Sequence, residues 1–252
     1  MATVARPPSR RPRWGLAPAL AVLSAALAGC LAADKPEDYH FMVQVQYDAG
    51  GGPTTCGGAL LSATHVLTNA HCAVGDVTSL KVYTGTASLW SSGTAGAVHG
   101  VRAARQHPKY RIEHGADVQF VFDVAVLRLQ DSVVLDAQAS TIRVTGSRRR
   151  LADGAAVSLA GWGLTYWGED DSKKLRLLSV TVLNRRQCRA RTLTAVTPQQ
   201  FCITSAPDMG NSGSAAYVGG LLYGLMSWGG LVFTDLAEPS INSFVATALR
   251  TL

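Results

Sequence analysis

Acidic residues are absent from the first 29 positions, which contain four arginines: Arg6, Arg10, Arg11 and Arg13. Without those four, the chain has 19 basic and 17 acidic residues, and its formal charge falls from +6 to +2. Proteins that bind nucleic acids usually carry a clear basic surplus, so we expect no nucleic-acid partner. An apolar share of 47% also excludes a disordered chain and suits a globular core.

The sequence also lacks an N-terminal apolar run long enough to span a bilayer comfortably. The run Leu16 to Ala28 is broken by Pro18 and Ser24 and follows the arginine-rich start. A transmembrane helix needs about 20 apolar residues, whereas a basic start with a shorter apolar run is typical of an export signal. We interpret residues 1–29 as an export signal and residues 30–40 as a linker, and we expect an exported protein.

No internal repeat and no cluster of metal-ligating residues stands out, so we predict no metal site. The chain instead shows short segments rich in Val, Leu, Thr and aromatic residues, separated by Gly, Asp, Ser and Pro. This spacing favours a β-barrel or sandwich over βαβ units. Examples of these segments are Phe41–Tyr47, Ala59–Leu61, His65–Thr68, Leu80–Thr84, Val124–Leu129, Ala156–Ala160, Leu177–Leu183, Ala215–Val218 and Leu221–Met226.

Only the C-terminal end has a helical pattern. Residues 238–240, Glu-Pro-Ser, are typical of a helix start because proline is tolerated in the first turn. The apolar residues that follow share one helical face: Ile241, Phe244, Val245, Ala248 and Leu249. Earlier in the chain, residues 145–150 have the composition of a linker. We therefore predict two barrel domains, residues 41–144 and residues 145–252, the second of which includes the helix.

His71 stands out among the histidines. A lone histidine is more often structural than catalytic, and we expect His65 to be structural. His71 is followed directly by Cys72, and Cys56 lies 16 positions upstream of Cys72. A disulfide between these cysteines would close the loop, contribute about 3 kcal/mol by the chain-entropy estimate, and hold the imidazole on a rigid corner.

The stretch from Cys56 to Cys72 resembles the trypsin-like serine proteases. It contains Cys-Gly-Gly-Ala-Leu-Leu-Ser and then Leu-Thr-Asn-Ala-His-Cys, where the family has Cys-Gly-Gly-aliphatic-Leu-Ser and Leu-Thr-Ala-Ala-His-Cys around its general base. The resemblance continues in the family's order to the C-terminus and implies a chymotrypsin-like, all-β fold of two six-stranded antiparallel β-barrels with a C-terminal α-helix. The further matching segments are His107–Tyr110, Phe122–Leu129, Ala160–Gly163, Gly210–Ser214 and Ser227–Gly229.

The resemblance also implies the rest of a catalytic triad. Asp123 opens an apolar strand, where a carboxylate is costly to bury without a partner such as an imidazole N–H. Ser212 lies in Gly-Asn-Ser-Gly-Ser, and acyl transfer needs an exposed hydroxyl beside converging backbone N–H groups. The order His71, Asp123, Ser212 matches the chymotrypsin pattern and neither the subtilisin nor the α/β-hydrolase order.

We therefore predict a serine endopeptidase that acts on a protein or peptide as a monomer and needs no cofactor. Ser212 attacks the peptide carbonyl, His71 acts as general base and then acid, and Asp123 orients the imidazole. We expect Ser227 to donate a second hydrogen bond to Asp123. The resemblance places the oxyanion hole at the amides of Gly210 and Ser212.

The activation machinery of trypsins is missing from this sequence. Asn211 replaces the aspartate that precedes the nucleophile, and the family's Ile-Val-Gly-Gly start aligns with residues 28–31, Ala-Gly-Cys-Leu. The loss of both partners of the activation salt bridge predicts an enzyme that is competent without cleavage of a pro-segment. Gly-Asn-Ser-Gly-Ser also resembles the motif of bacterial glutamyl endopeptidases, which have asparagine there. The rival hypothesis is a protease-like binding protein that keeps the fold without turnover.

The predicted substrate pocket is shallow and apolar. Counting from the nucleophile, Ala206 occupies the place of the aspartate that binds cations in trypsins, and Leu231 occupies the place of a glycine that keeps the pocket deep. We expect a preference for small or medium apolar P1 residues. The alternative is Asp208, which replaces a family cysteine and would favour Arg or Lys if it turned inward. The substrate-binding residues are thus Ala206, Ser227, Trp228, Gly229 and Leu231.

Five cysteines leave one without a partner in an exported protein. We expect Cys56 to pair with Cys72 and Cys188 with Cys202, each within its own barrel, which leaves Cys30. Residues 27–30, Leu-Ala-Gly-Cys, resemble the lipobox of bacterial lipoproteins. We therefore predict lipidation at Cys30 and a protein that is lipid-anchored at the cell envelope. The alternative is ordinary signal cleavage nearby, for instance after Ala32, and a secreted product.

Overall fold

The described part of the chain is built mainly of β-strands. The computed structural model describes residues 39–48, 50–89, 96–115, 118–162, 174–204 and 212–252. The strands are β1 Met42–Asp48, β2 Pro53–Ser62, β3 His65–Thr68, β4 Lys81–Thr84, β5 Ala97–Gln106, β6 Arg111–His114, β7 Val118–Val121, β8 Ala125–Leu129, β9 Arg143–Val144, β10 Ala156–Trp162, β11 Leu175–Leu183, β12 Gln200–Ile203, β13 Ala215–Val218, β14 Leu221–Trp228 and β15 Val232–Asp235. The helices are α1 Arg185–Arg189 and α2 Pro239–Thr251, with 3₁₀ turns at Ala70–Cys72 and Val77–Ser79.

The first barrel is a closed ring of six antiparallel strands in the order β1-β2-β3-β8-β5-β4. The ring closes because β1 pairs with β2 on one side and with β4 on the other. A hairpin of β6 and β7 lies between β5 and β8 in the sequence. Buried aliphatic residues from all parts of the ring fill its interior, among them Val43, Val45, Leu60, Val66, Val82, Val101, Leu127 and Leu129.

The second barrel also closes with six antiparallel strands, in the order β13-β10-β11-β12-β15-β14. Pairing of β13 with β14 completes the ring. The two-residue strand β9 adds to the outside of β14 in the parallel direction. The interior is filled by Val157, Leu159, Val180, Ile203, Ala216, Met226 and Phe233.

Helix α2 packs on an apolar cluster that contains residues of both barrels. Glu238 caps the helix, since its side chain accepts a hydrogen bond from the backbone N–H of Ile241. Ile241, Val245 and Ala248 are buried in the cluster, and Phe244 and Leu249 pack at its edge. Within the described residues, no helix has the length and apolar character required to cross a membrane.

The fold class predicted from the sequence is confirmed: two six-stranded antiparallel barrels and a C-terminal helix. The prediction that only the C-terminal end is helical is wrong, because α1 forms one short helix before β12. Its signal is a capping box, in which the Asn184 side chain accepts from the Gln187 backbone while the Gln187 side chain accepts from the Asn184 backbone. The structure adds six strands to the example segments: β5, β6, β7, β9, β12 and β15.

Candidate active site

His71 lies in the middle of the 3₁₀ turn that follows β3. The disulfide Cys56–Cys72 ties this turn to β2, with the two Cα atoms 6.2 Å apart. From β5, the side chain of Gln106 donates hydrogen bonds of 2.9 and 3.0 Å to carbonyl oxygens at the two ends of the turn. The main chain that carries the imidazole is therefore held by one covalent link and two hydrogen bonds.

Asp123 lies just before β8, and only 1% of its surface is exposed. Its Oδ1 accepts the backbone N–H of His71 at 3.0 Å, and its Oδ2 lies 2.8 Å from His71 Nδ1. Oδ2 also accepts hydrogen bonds from Ser227 Oγ at 2.5 Å and from Asn69 Nδ2 at 3.1 Å. These four donors compensate for the cost of burying a carboxylate.

Ser212 opens the last described segment, and its Oγ lies 2.9 Å from His71 Nε2. The backbone N–H of Gly57 in β2 donates to the carbonyl oxygen of Ser212 at 2.7 Å, and Gly213 N–H donates to Met226 at 2.9 Å. The serine is thus held by a strand from each barrel. Because Nδ1 of His71 faces a carboxylate, we assign the imidazole proton to Nδ1, which leaves Nε2 to accept from the hydroxyl.

These contacts join the three predicted catalytic residues in one hydrogen-bonded chain. It runs from Ser212 Oγ through the His71 ring to the carboxylate of Asp123. A histidine placed in this way can remove the proton of the hydroxyl while the carboxylate stabilises the imidazolium. The arrangement can therefore generate an alkoxide-like nucleophile without a metal ion.

Phe120 belongs to the site although the sequence analysis did not identify it. Its ring stacks on the His71 ring, with centroids 4.4 Å apart and planes 14° apart. Gln200 Nε2, from the second barrel, donates to the carbonyl oxygen of Phe120 at 2.8 Å and fixes the strand that carries the ring. The only sequence signal is an aromatic residue three positions before Asp123, which is too common to identify a site residue.

Two tyrosines lie in the electrostatic field of Asp123. Burial raises the pKa of Tyr47, and the negative charge of Asp123 raises it further. Burial also raises the pKa of Tyr110, again with a second contribution from Asp123. Both phenols therefore stay neutral around the carboxylate at the pH values at which a histidine titrates.

The predicted substrate-binding strand ends in a tight turn. β14 ends at Trp228, which pairs with Val232 at the start of β15. Between them, Gly229 and the glycine after it have φ angles of 61° and 67°, a conformation that side chains other than glycine rarely adopt. Leu231 completes the turn and packs on an apolar cluster that includes Trp228, and Phe120 packs on the same cluster.

The other predicted pocket residues are only partly covered by the structure. Ser227 is 1% exposed, and its hydroxyl contacts Asp123 from the same strand as Trp228. Four positions of interest before the nucleophile lie outside the described residues: Ala206, Asp208, Gly210 and Asn211.

The second disulfide joins Cys188 of α1 to Cys202 of β12, with Cα atoms 5.7 Å apart. Both cysteines are buried in the same apolar cluster as Trp228. The structure thus contains both disulfides expected from the sequence, one near His71 and one behind the substrate-binding strand. Cys30 lies outside the described residues.

The chain is similar to known proteins in both sequence and fold. The family model described as Trypsin matches residues 32–249. Trypsin alpha-4 of Lucilia cuprina is 34% identical over 208 residues, which cover 79% of this chain and 76% of the relative. Granzyme M of Homo sapiens is 30% identical over 220 residues, which cover 84% and 82% of the two chains. The crystal structure of the scabies mite inactivated protease paralogue S-I1 superposes with a TM-score of 0.74 over 87% of this chain and 98% of that one, and at 22% identity it shows the fold alone.

Proposed function

Because this chain belongs to the trypsin family of serine endopeptidases, we propose that it cleaves peptide bonds through an acyl-enzyme on Ser212. The observation that carries this proposal is the unbroken hydrogen-bonded chain from Ser212 Oγ through His71 to Asp123. Protein or peptide substrates follow from membership of the family.

His71 Nε2 accepts the hydroxyl proton as Ser212 Oγ attacks the peptide carbonyl. The resulting imidazolium is stabilised by Asp123, whose carboxylate accepts a hydrogen bond from the Nδ1–H group. His71 then donates a proton to the leaving amine, and water attacks the acyl-enzyme by the reverse sequence of proton transfers. We assign stabilisation of the oxyanion to the backbone N–H groups of Gly210 and Ser212.

We further propose a preference for small or medium apolar residues at P1. Leu231 supports this assignment, because its side chain contributes apolar surface to the turn beside Trp228. Position 206 is an alanine and carries no charge, which also supports the apolar P1 preference. Asp208 is the residue on which the alternative, a preference for Arg or Lys, depends.

A peptide library that varies only at P1 tests both parts of this proposal. The wild-type protein should cleave after Ala, Val or Leu, and Ser212→Ala should lose cleavage by a factor of about 10⁶. Asp208→Ala should leave the preference unchanged. Strong cleavage after Arg or Lys that disappears in Asp208→Ala would contradict the pocket assignment without affecting the triad.

We also propose that the protein is active without cleavage of a pro-segment. Asn211 is neutral and needs no newly formed ammonium group as its partner, which supports this view. A short tag added before the mature N-terminus should leave kcat/KM nearly unchanged. A loss of about a hundredfold, the scale of a missing oxyanion donor, would contradict it.

Finally, we propose that Cys30 carries the lipid anchor of an exported protein. Its place after Leu-Ala-Gly, and the pairing of the other four cysteines in two disulfides, support this assignment. Mass spectrometry of protein from the native host should find an acylated Cys30 at the mature N-terminus. A mature chain that starts at Ala33 would exclude the anchor.

A further inference from the structure

Asn69 is the residue of the His71 motif that departs from the trypsin-like pattern. The motif around His71 is Leu-Thr-Asn-Ala-His-Cys, where the family pattern has Leu-Thr-Ala-Ala-His-Cys. An asparagine in place of an alanine brings an amide group into a fully buried position, since Asn69 is 0% exposed. A buried amide is costly unless it is hydrogen-bonded, so its contacts indicate what it does.

The amide of Asn69 is directed at Asp123 alone. Its Nδ2 donates one hydrogen bond of 3.1 Å to the carboxylate oxygen Oδ2 and another of 3.1 Å to the main-chain oxygen of the same residue. Both acceptors are oxygens, so the reverse orientation of the amide would place Oδ1 against them and is excluded. One NH₂ group thus restrains both the side chain and the backbone of Asp123.

The other atom of the Asn69 amide shows that this contact lowers the stability of the fold. Asn69 Oδ1 is buried and has no hydrogen-bond partner among the described residues. An unpaired buried acceptor destabilises a fold, and the alanine of the family pattern would avoid that cost. The main-chain oxygen of Asp123 already accepts from Thr234 Oγ1 at 2.9 Å, so it does not require Asn69. The contact with the carboxylate is what Asn69 adds.

We propose that Asn69 is a positioning residue for catalysis, acting through Asp123. The inference rests on the proposed function. Oδ2 of Asp123, the oxygen that faces His71 Nδ1, receives the Asn69 N–H and the Ser227 O–H as well. A third donor restrains the carboxylate beside the imidazole and withdraws negative charge from the oxygen that stabilises the imidazolium. Asn69 therefore improves alignment and makes protonation of His71 less favourable.

The pH dependence of activity distinguishes this role from simple packing. In Asn69→Ala, we expect kcat to fall about tenfold, as for the loss of one ordinary hydrogen bond, with KM within about twofold of wild type. The acid limb of the kcat/KM profile should move to higher pH, because Asp123 would then stabilise the imidazolium more strongly. The neighbouring titratable groups, Tyr47 and Tyr110, stay neutral over this range because burial and Asp123 raise their pKa values.

The control is Gln44→Ala, which removes another fully buried amide from the first barrel. The side chain of Gln44 donates a hydrogen bond of 2.8 Å to the carbonyl oxygen of Ser88, whereas that of Asn69 donates to the carboxylate of Asp123. The Gln44→Ala variant should lower the stability of the fold without moving the acid limb of the kcat/KM profile. If Asn69→Ala does not fold, the experiment uses Asn69→Ser. Serine is nearly as small as alanine, and its side chain is too short to replace the hydrogen bond of the Asn69 amide to the carboxylate of Asp123.

Two outcomes separate this inference from the proposed function. An inactive wild-type protein would overturn the proposed function, and the acid-limb comparison would then be replaced by an NMR titration of His71 in wild type and variant. An active wild type with an Asn69→Ala variant whose acid limb and kcat are unchanged would overturn the role of Asn69. The expected result is an active wild type and an acid limb displaced to higher pH in the Asn69 variant and not in Gln44→Ala.

Discussion

The position of Ser212, the proposed nucleophile, depends on the glycine that follows it. Gly213 has a φ angle of +83°, and a Cβ atom placed there would overlap with the carbonyl oxygen of Gly57. Gly57 is restricted in the same way, since a Cβ atom on it would lie 2.8 Å from the carbonyl oxygen of Gly213. The two barrels therefore meet backbone to backbone beside Ser212, with no room for a side chain.

Replacement of Gly213 by alanine should displace Ser212 from His71. A shift of about 1 Å in a reacting group can reduce a rate by about a hundredfold, so we expect at least that loss in kcat/KM. The matched control is Gly154→Ala, because Gly154 has a similar φ angle of +78° and no atom within 4 Å of a new Cβ. It should lower stability modestly and leave kcat/KM unchanged. A Gly213→Ala variant with wild-type activity would show that the close approach does not position the serine.

Local motifs of the sequence predict the three proposed catalytic residues but not the residues in contact with them. His71, Asp123 and Ser212 lie in local motifs, and the structure brings them together. Phe120 and Asn69 act through contacts that depend on strand register, and the hydrogen bond of Asn69 spans 54 positions of sequence. Nothing in the local pattern of residues specifies such contacts.

At the scale of elements, the disulfide Cys56–Cys72 closes a loop that contains β3 and the turn of His71. A loop of about 15 residues that is closed by a disulfide stabilises the fold by about 3 kcal/mol in the chain-entropy model. The turn itself is short and has no side-chain cap. The disulfide should therefore matter both for stability and for the position of the imidazole.

Replacement of Cys56 and Cys72 by alanine should lower the free energy of unfolding by about 2–4 kcal/mol, as measured by urea denaturation. In the protein that remains folded, kcat should also fall, because the turn that carries the imidazole is released. The pair Cys188 and Cys202, replaced together by alanine, is the control: it encloses a similar loop, with a sequence separation of 14 compared with 16. It should lose similar stability with a smaller effect on kcat. Equal effects on kcat would argue against the role in positioning.

Elements with strong apolar patterns could be predicted, and those with mixed patterns could not. β5 has only one buried residue, Val101, and contains histidine and arginine residues that gave it no strand signal. β15 has only two apolar residues, Val232 and Phe233, followed by Thr234 and Asp235, so it has no extended apolar pattern. Helix α1 has five residues, too few for a helical period to show, and only its capping box identifies it.

At the scale of the whole molecule, three buried or half-buried histidines should make stability depend on pH. Burial lowers the pKa of His65, and the charge of Arg128 lowers it further. Burial also lowers the pKa of His99, against the effect of Asp131. Burial lowers the pKa of His107 as well, against the effect of the hydrogen bond that its imidazole donates to Ser240. Each histidine binds a proton more readily in the unfolded chain than in the folded protein. Its contribution to the free energy of unfolding is therefore present above its unfolded-state pKa of about 6.5 and is lost as the pH falls through its folded-state pKa.

We therefore expect the free energy of unfolding to fall between about pH 7.5 and pH 5. His107 lies between Phe122, on which it stacks at 4.7 Å, and Phe244 of α2. His107→Gln should weaken the fold at neutral pH but reduce its loss of stability towards pH 5. Burial raises the pKa of Asp235, so protonation of this carboxyl favours the folded state as the pH falls further. Urea denaturation should therefore be compared at pH values of about 5 and above, where the histidines titrate. An unfolding free energy that rises towards pH 5 would contradict the assignment.

The overall architecture follows from the order of the motifs, because each one marks a known place in a two-barrel fold. The apolar cluster under α2 draws residues from both barrels, among them Leu67 and Val126 from the first and Leu222 and Leu225 from the second. Such a shared cluster cannot be read from either half alone. The P1 preference of the proposed substrate pocket is harder to predict from the sequence, because it depends on whether Ala206 or Asp208 lies at the bottom of the pocket.

Labelling of Ser212 by a fluorophosphonate probe tests the central claim most directly. The probe forms a covalent bond only with a serine that an adjacent base activates, and it requires no knowledge of the substrate. Intact mass and peptide mapping should show one phosphonyl group on Ser212 of the wild-type protein, none on Ser212→Ala and little on His71→Ala. A well-folded wild-type protein that remains unlabelled would contradict the account and would instead support a protease-like protein that binds without turnover.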